Sequence, residues 1–176
     1  MVLSLSNATL ALGQTEAMPD PRESLSVTFV CTGNICRSPI AEKVFVRELE
    51  RAGLADRVRV TSAGIGSWHV GGPADERAAA VLRAHGYPDA HVARQVDAEL
   101  LTADLLVALD DGHRRALRRA VPEPERLRLL RSFDPAAPPG AEVPDPYYGA
   151  DDGFAEVLGM IEAAMPGLVE WVRVRL

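Results

Sequence analysis

The chain has 176 residues, 47% of them hydrophobic, enough for one full-sized domain and too few for two comfortable ones. Its 19 basic and 25 acidic side chains leave a net charge of −6, which argues against bulk binding to nucleic acid or to an anionic membrane. Any anion must be captured locally. The two cysteines, Cys31 and Cys36, share one short segment, which is no disulfide framework and fits a reducing cytoplasm; no run reaches the roughly 18 apolar residues of a membrane span.

Residues 1–24 mix Ser, Asn, Gln, Pro and acidic side chains without a sustained period and end in the breaker cluster Pro19-Asp20-Pro21. They are expected to form a flexible N-terminal extension, followed by one domain over residues 25–176. Met1 to Leu12 contains no Lys or Arg, so it lacks the basic start of a secretory signal, and Met18 is a candidate alternative start. The first strand is expected at Val27 to Val30, then a loop, then a helix to Glu50 with Ser38 as N-cap, Pro39 as first helical residue and Gly53 as its stop. A second strand, Val58 to Thr61, leads into the glycine-rich segment Gly64 to Gly72, and a second helix spans Ala74 to His85 before Gly86. Leu105 to Leu109 is a continuous apolar run, the pattern of a strand buried on both faces. A basic helix over about Gly112 to Ala120, a weaker strand at Leu127 to Leu130, a proline-rich loop from Asp134 to Pro146 and a last helix over about Asp151 to Val174, bent near Pro166-Gly167, complete the reading. Strands alternating with helices predict an α/β fold: one three-layer domain with a central four-stranded parallel sheet and helices on both faces.

The segment Cys31-Thr32-Gly33-Asn34-Ile35-Cys36-Arg37-Ser38 joins a strand end to a helix start, where an open α/β sheet places its ligand crevice. Gly33 and Asn34 tolerate positive φ, so the backbone can curl and aim successive N–H groups at one anion, with the helix dipole behind them. A sulfur in that field is favoured as the nucleophilic thiolate. Arg37, six residues after Cys31, can present a planar fork to two phosphate oxygens, and Ser38 can donate a hydrogen bond to the sulfur. The bland reading, a buried small Cys31 beside a Gly-Asn turn, is outweighed by the combination of strand, turn and Ser-Pro helix start.

Val30 to Glu42, reading VCTGNICRSPIAE, resembles the signature of the low-molecular-weight protein tyrosine phosphatases, actinobacterial members above all, and the likeness extends over about residues 26–173. The resemblance implies a metal-independent, cofactor-free phosphatase: Cys31 as nucleophile, Thr32 to Ser38 as phosphate loop with Arg37 in it, and a phosphocysteine intermediate. A phosphate ester also needs its leaving oxygen protonated. Val143-Pro144-Asp145-Pro146-Tyr147-Tyr148-Gly149 is similar to the family's Asp-Pro-Tyr-Tyr loop, which makes Asp145 the general acid and base. Ile35, Trp68, Tyr147 and Tyr148 are the expected walls around a substrate ring; Trp68 as partial core and Tyr148 as a regulatory phosphorylation site stay open. The resemblance further implies that Asn34, Ser38, Ser62 and His91 support the loop by hydrogen bonds, although Ser62 and His91 read by themselves are ordinary loop residues. Asp110 divides evenly between a contact near Arg37 and a helix N-cap. Cys36 divides between a redox partner for Cys31 and a small space-filler.

Three rivals follow from the same loop. Arsenate reductases need further relay cysteines, and none follows Cys36. Arginine phosphatases of this fold typically carry Thr where this chain has the apolar Ile35, which suits a phenyl ring better. A non-catalytic phosphotyrosine reader usually lacks the nucleophile or the acid, and here Cys31, Arg37 and Asp145 are all present. The expected partners are tyrosine-phosphorylated proteins, a tyrosine kinase among the candidates, met by a cytoplasmic monomer.

Overall fold

The computed structural model describes residues 24–176, so the extension expected over residues 1–24, with Met18, lies outside the described residues except for Ser24. Four strands, β1 (Leu25–Cys31), β2 (Val58–Gly64), β3 (Leu105–Ala108) and β4 (Leu127–Leu129), form one sheet in the order β2-β1-β3-β4. Every pairing is parallel. The helices are α1 (Arg37–Ala52), α2 (Glu76–Ala84), α3 (Asp111–Leu117) and α4 (Asp152–Arg173). This is the α/β architecture expected from the alternation of elements.

The strand period decides which side chains feed which layer, because successive residues point to opposite faces. Val27, Phe29 and Cys31 of β1 and Leu105 and Val107 of β3 enter the larger core, where α1 and α4 close over them. Val30, Leu106 and Ala108 enter a smaller core with Leu117 of α3 and Leu127 and Leu129 of β4. Phe29 meets Phe45 of α1 edge to face, with ring centroids 5.7 Å apart. Both rings are fully buried, and each such side chain contributes roughly 1.5–3 kcal/mol of transfer free energy. Cys31 therefore sits at the end of the larger core's central strand, in register with Gly64 of β2.

Several boundaries moved, for identifiable reasons. β2 continues to Gly64 because its whole length pairs with β1, ending at the Cys31–Gly64 register position. α1 begins at Arg37 with Cys36 in the cap position, and no side chain caps it. The expectation that Ser38 is the N-cap fails because its hydroxyl is committed to the Cys31 sulfur and to Asn34. α2 starts later than expected, capped by Asp75, whose carboxylate accepts from the Arg77 N–H at 2.9 Å. Gly53 closes α1 in the left-handed region, as its place after the last periodic residue predicted. α4 runs through Pro166, and at Gly167 a Cβ would lie 2.1 Å from the Phe133 carbonyl oxygen, so only glycine lets α4 approach the turn Leu130–Phe133. Among the described residues no helix is long and apolar enough to cross a membrane.

The connection through α1 carries the chain from β1 to one neighbour, β2, and the connection through α2 carries it back past β1 to β3. The direction of winding reverses between β1 and β3, which opens a crevice at their C-terminal ends. Cys31 ends β1, and Leu109-Asp110 follows β3 at the same end.

Candidate active site

From Cys31 to Ser38 the chain curls back on itself, and four of its carbonyls are bound by residues outside the loop. Cys31 O accepts from Ile65 N at 2.9 Å, Thr32 O from Gly66 N at 2.9 Å and Ile35 O from Asp75 N at 2.8 Å. His91 Nε2 donates to Asn34 O at 2.8 Å. With these oxygens engaged outward, the loop's N–H groups are left for an anion at its centre. Gly64 of β2 lies against the back of the loop, where a Cβ would stand 2.9 Å from Gly33 C and 3.0 Å from Asn34 N. Glycine is required there by close approach rather than by a turn.

Asn34 is the only described non-glycine residue with positive φ, at 57°. Its side chain explains why the strain persists: Nδ2 donates to Ser38 Oγ and to Ser62 Oγ, both at 2.9 Å, and Oδ1 accepts from Arg94 N at 2.9 Å. Ser62 in turn donates to the Glu42 carboxylate. Burial holds His91 below the ordinary histidine range, against the opposing effect of its bond to the Asn34 carbonyl, so it is a neutral donor at pH 7. The four residues expected to support the loop thus stand in one network, with Glu42 and the Arg94 backbone added.

Arg37 is buried, and its guanidinium is held on two sides. Nη1 donates to Asp110 Oδ2 at 2.8 Å and to Val143 O at 3.0 Å, while Nη2 reaches Thr32 Oγ1 and Asp145 Oδ2, each at 3.4 Å. Asp110 performs both of the tasks between which its sequence position divides. Its second oxygen, Oδ1, caps α3 by accepting from His113 N at 3.0 Å. Burial pushes the Asp110 carboxyl up, yet the bonds from His113 N–H and Arg37 outweigh it and hold it below the usual carboxylate range. His113 Nδ1 accepts from Asp110 N at 3.2 Å, which leaves Nε2 to donate to Thr32 Oγ1 at 2.9 Å. Burial pushes His113 down to about 4 despite the nearby Asp110, so the imidazole is neutral and its tautomer is set.

The Cys31 sulfur lies 3.0 Å from Ser38 Oγ and lines a cavity of about 430 Å³. Arg37, Thr32, Gly33 and Cys36 form the base of that cavity with it, and Asp145 stands at the side. Ile35, Trp68, His69, Tyr147 and Tyr148 form the walls. Trp68 is 73% and Tyr148 91% exposed, whereas Tyr147 is 39% exposed and meets Tyr148 edge to face at 4.9 Å. The partial-core alternative for Trp68 does not fit that exposure. Cys36 is a buried free thiol that burial, with Asp75 beside it, pushes up to about 12, so it stays neutral. Among the described residues no group of three or more His, Cys, Asp or Glu could hold a metal ion.

The loop that carries Asp145 is pinned before it reaches the crevice. Val143 is fully buried and donates its N–H to Leu109 O at 2.8 Å. Beyond Pro144, Asp145 Oδ1 accepts from Tyr147 N at 3.1 Å, a short turn that turns Tyr147 toward the cavity. Arg77, bound to Asp75, donates to Tyr147 O at 3.1 Å and lies under its ring at 5.6 Å.

The family model for low molecular weight phosphotyrosine protein phosphatase matches residues 26–175. The chain belongs to this family. It is 61% identical over 160 residues to low molecular weight protein-tyrosine phosphatase A of Mycobacterium tuberculosis, covering 90% of this chain and 96% of that protein. It is 55% identical over 152 residues to the low molecular weight protein-tyrosine-phosphatase of Streptomyces coelicolor, covering 84% and 93%. Among solved structures it superposes on a protein tyrosine phosphatase from Entamoeba histolytica with a TM-score of 0.80 and 32% identity, covering 87% of this chain and 100% of that one.

Within this low-molecular-weight phosphatase, several contributors to the site escaped the sequence reading: His113, Glu42, Arg77, His69 and the Val143 carbonyl. One signal was present for His113. Asp110-x-x-His113 directly after a buried strand has the spacing of a reciprocal cap, in which the third helical residue bonds back to the cap. His69 is recognisable only in three dimensions, where a Cβ on Gly33 would come within 2.8 Å of its ring.

Proposed function

We propose that Cys31, Arg37 and Asp145 carry out the two-step hydrolysis of a phosphotyrosine ester through a phosphocysteine. The single observation behind this reading is their convergence on one cavity of about 430 Å³, with Ser38 bonded to the sulfur and aromatic side chains at the rim. The substrate dianion occupies the loop's N–H groups and the Nη2 side of Arg37, whose Nη1 is already held by Asp110 and Val143. The incoming phosphate takes over the part of the guanidinium that faces Asp145, leaving that carboxyl beside the leaving oxygen. In the first step the sulfur–phosphorus bond forms and the phosphorus–phenol oxygen bond breaks, while Asp145 gives its proton to the leaving oxygen. In the second, Asp145 takes a proton from water as the water oxygen bonds to phosphorus, and the sulfur leaves with a hydrogen bond from Ser38. Phosphate and the thiolate are regenerated with no net redox change.

Ile35, half-buried on the wall beside the loop, supports phosphotyrosine over phosphoarginine, because an apolar wall leaves the polar guanidinium without partners. We assign tyrosine-phosphorylated proteins as substrates, a tyrosine kinase among them. A monomer suffices because one chain supplies every member of the site, and a cytoplasmic setting keeps the nucleophilic thiol reduced. The test is Asp145→Ala across aryl phosphates of rising leaving-group pKa. Turnover should fall about 10²–10⁴-fold for the poorest leaving groups and far less for the best. Equal losses across the series would remove Asp145 from the role of acid.

A further inference from the structure

A second cavity, also about 430 Å³, lies between the C-terminal part of α3, β4 and Gly140. Arg114, Arg118 and Arg128 line it together with Ser132, over an apolar floor that includes Val121 and Leu127, and among the described residues no acidic side chain lines it. Arg114 is committed to Asp111 at 2.8 Å. The other two are not. Among the described residues the exposed Arg118 guanidinium has no hydrogen-bond or ion-pair partner. Arg128 is half-buried, lies 4.1 Å over the Phe133 ring and, among the described residues, has neither carboxylate nor carbonyl to accept from it. Burial and the nearby Arg175 hold Arg128 below the ordinary arginine range.

Charge makes this arrangement informative. A guanidinium carries five N–H donors and is costly to desolvate without acceptors, and a second cation beside it raises that cost. In a chain of net charge −6, cations gathered around a cavity with no acid among its walls have one obvious complement. We propose that this cavity is a second oxyanion site, which takes a phosphate group on Arg118 and Arg128 and rests the apolar part of the ligand on Val121 and Leu127. The forked guanidinium geometry suits a phosphate or carboxylate, and the volume falls in the range of small-ligand pockets. The phosphate can belong to a free small molecule or to a second phosphorylated residue of the protein substrate.

The site adjoins both segments that hold the catalytic groups. α3 places Asp110 and His113 on Arg37 and Thr32 at one end and Arg118 in this cavity at the other. Gly140 at the cavity and Asp145 at the crevice lie on one loop, fixed between them by Val143. This proposal does not rest on the phosphocysteine mechanism.

Inorganic phosphate titrated into the isotopically labelled protein provides the test, followed on the side-chain Nε–H resonances of Arg118 and Arg128 and on the amides of Leu129 and Ser132. A saturable shift of these signals is expected, weakened about tenfold or more in Arg118→Gln and Arg118→Gln/Arg128→Gln. Should the double variant not fold, Arg118→Gln alone decides, since its side chain is exposed. Amides of the Cys31 to Ser38 loop report the active site separately and should titrate alike in all variants, so failure there would count against the phosphatase reading and not against this one. Peptides with one phosphotyrosine and a phosphoserine at varied spacing then separate the sources. A kcat/KM gain that requires Arg118 assigns the second phosphate to the substrate, and no gain at any spacing, with phosphate still bound, assigns a free phosphate compound. No saturable shift, or an affinity unchanged by the substitutions, would overturn the site.

Discussion

The base and the rim of the crevice are built in opposite ways. At the base, Asn34, Arg37 and Ser38 are buried, every loop carbonyl named above has a donor, and the one strained backbone position is held by three side-chain bonds. At the rim, Trp68 and Tyr148 are mostly exposed, and Tyr147 is placed by a turn bond and by Arg77. The difference separates two demands. Transition-state stabilisation requires donors that do not reorganise, whereas recognition of varied protein surfaces requires walls that can adapt. Substitutions at the base should therefore act on kcat, and those at the rim on KM.

Three substitutions would break or sharpen that contrast. The largest effect is expected from Arg37→Lys, which keeps the charge but loses the fork shared by Asp110, Val143, Thr32 and substrate. We expect kcat/KM for p-nitrophenyl phosphate to fall about 10²–10³-fold, and a loss below tenfold would show that charge alone suffices. Next is Asn34→Ala, which removes the donor to Ser38 and Ser62, leaves the Arg94 N–H without its acceptor and keeps a non-glycine residue in the left-handed region unsupported. It should lower stability by about 1–3 kcal/mol in denaturant unfolding and reduce kcat while KM changes little. Full activity would mean that the network is not what holds the loop. The smallest is Trp68→Ala, expected to raise KM for a phosphotyrosine peptide by the equivalent of about 0.5–1.5 kcal/mol with kcat preserved. A drop in kcat instead would move Trp68 from the rim to the catalytic machinery.

How much of this was readable depends on how local each feature is. The loop from Cys31 to Ser38 is contiguous, so residue types and spacing predict its curl, and the four strands follow from apolar runs between glycine and proline signals. Ser-Pro at a helix start points locally to Ser38 as a cap, but the curled loop commits its hydroxyl to Cys31, the contact its place in the loop also predicts, and to Asn34. The Thr32–His113 bond joins residues 81 apart, and nothing in either neighbourhood announces it. For Asp110 the cap is a local signal while the contact near Arg37 is implied only by the resemblance, and the fold shows both at once by bringing Arg37 to the oxygen that the cap leaves free. Arg77 and Tyr147 are 70 residues apart, and only the fold brings them together.

The most direct measurement is acid quenching during rapid turnover, followed by mass spectrometry of the peptides that carry Cys31, Cys36 and Ser38. One phosphoryl group on Cys31, enriched in an Asp145→Ala background where its hydrolysis is slowed and absent in Cys31→Ser, is the predicted result. A phosphoryl group on another residue, or steady turnover in Cys31→Ser, would contradict the account.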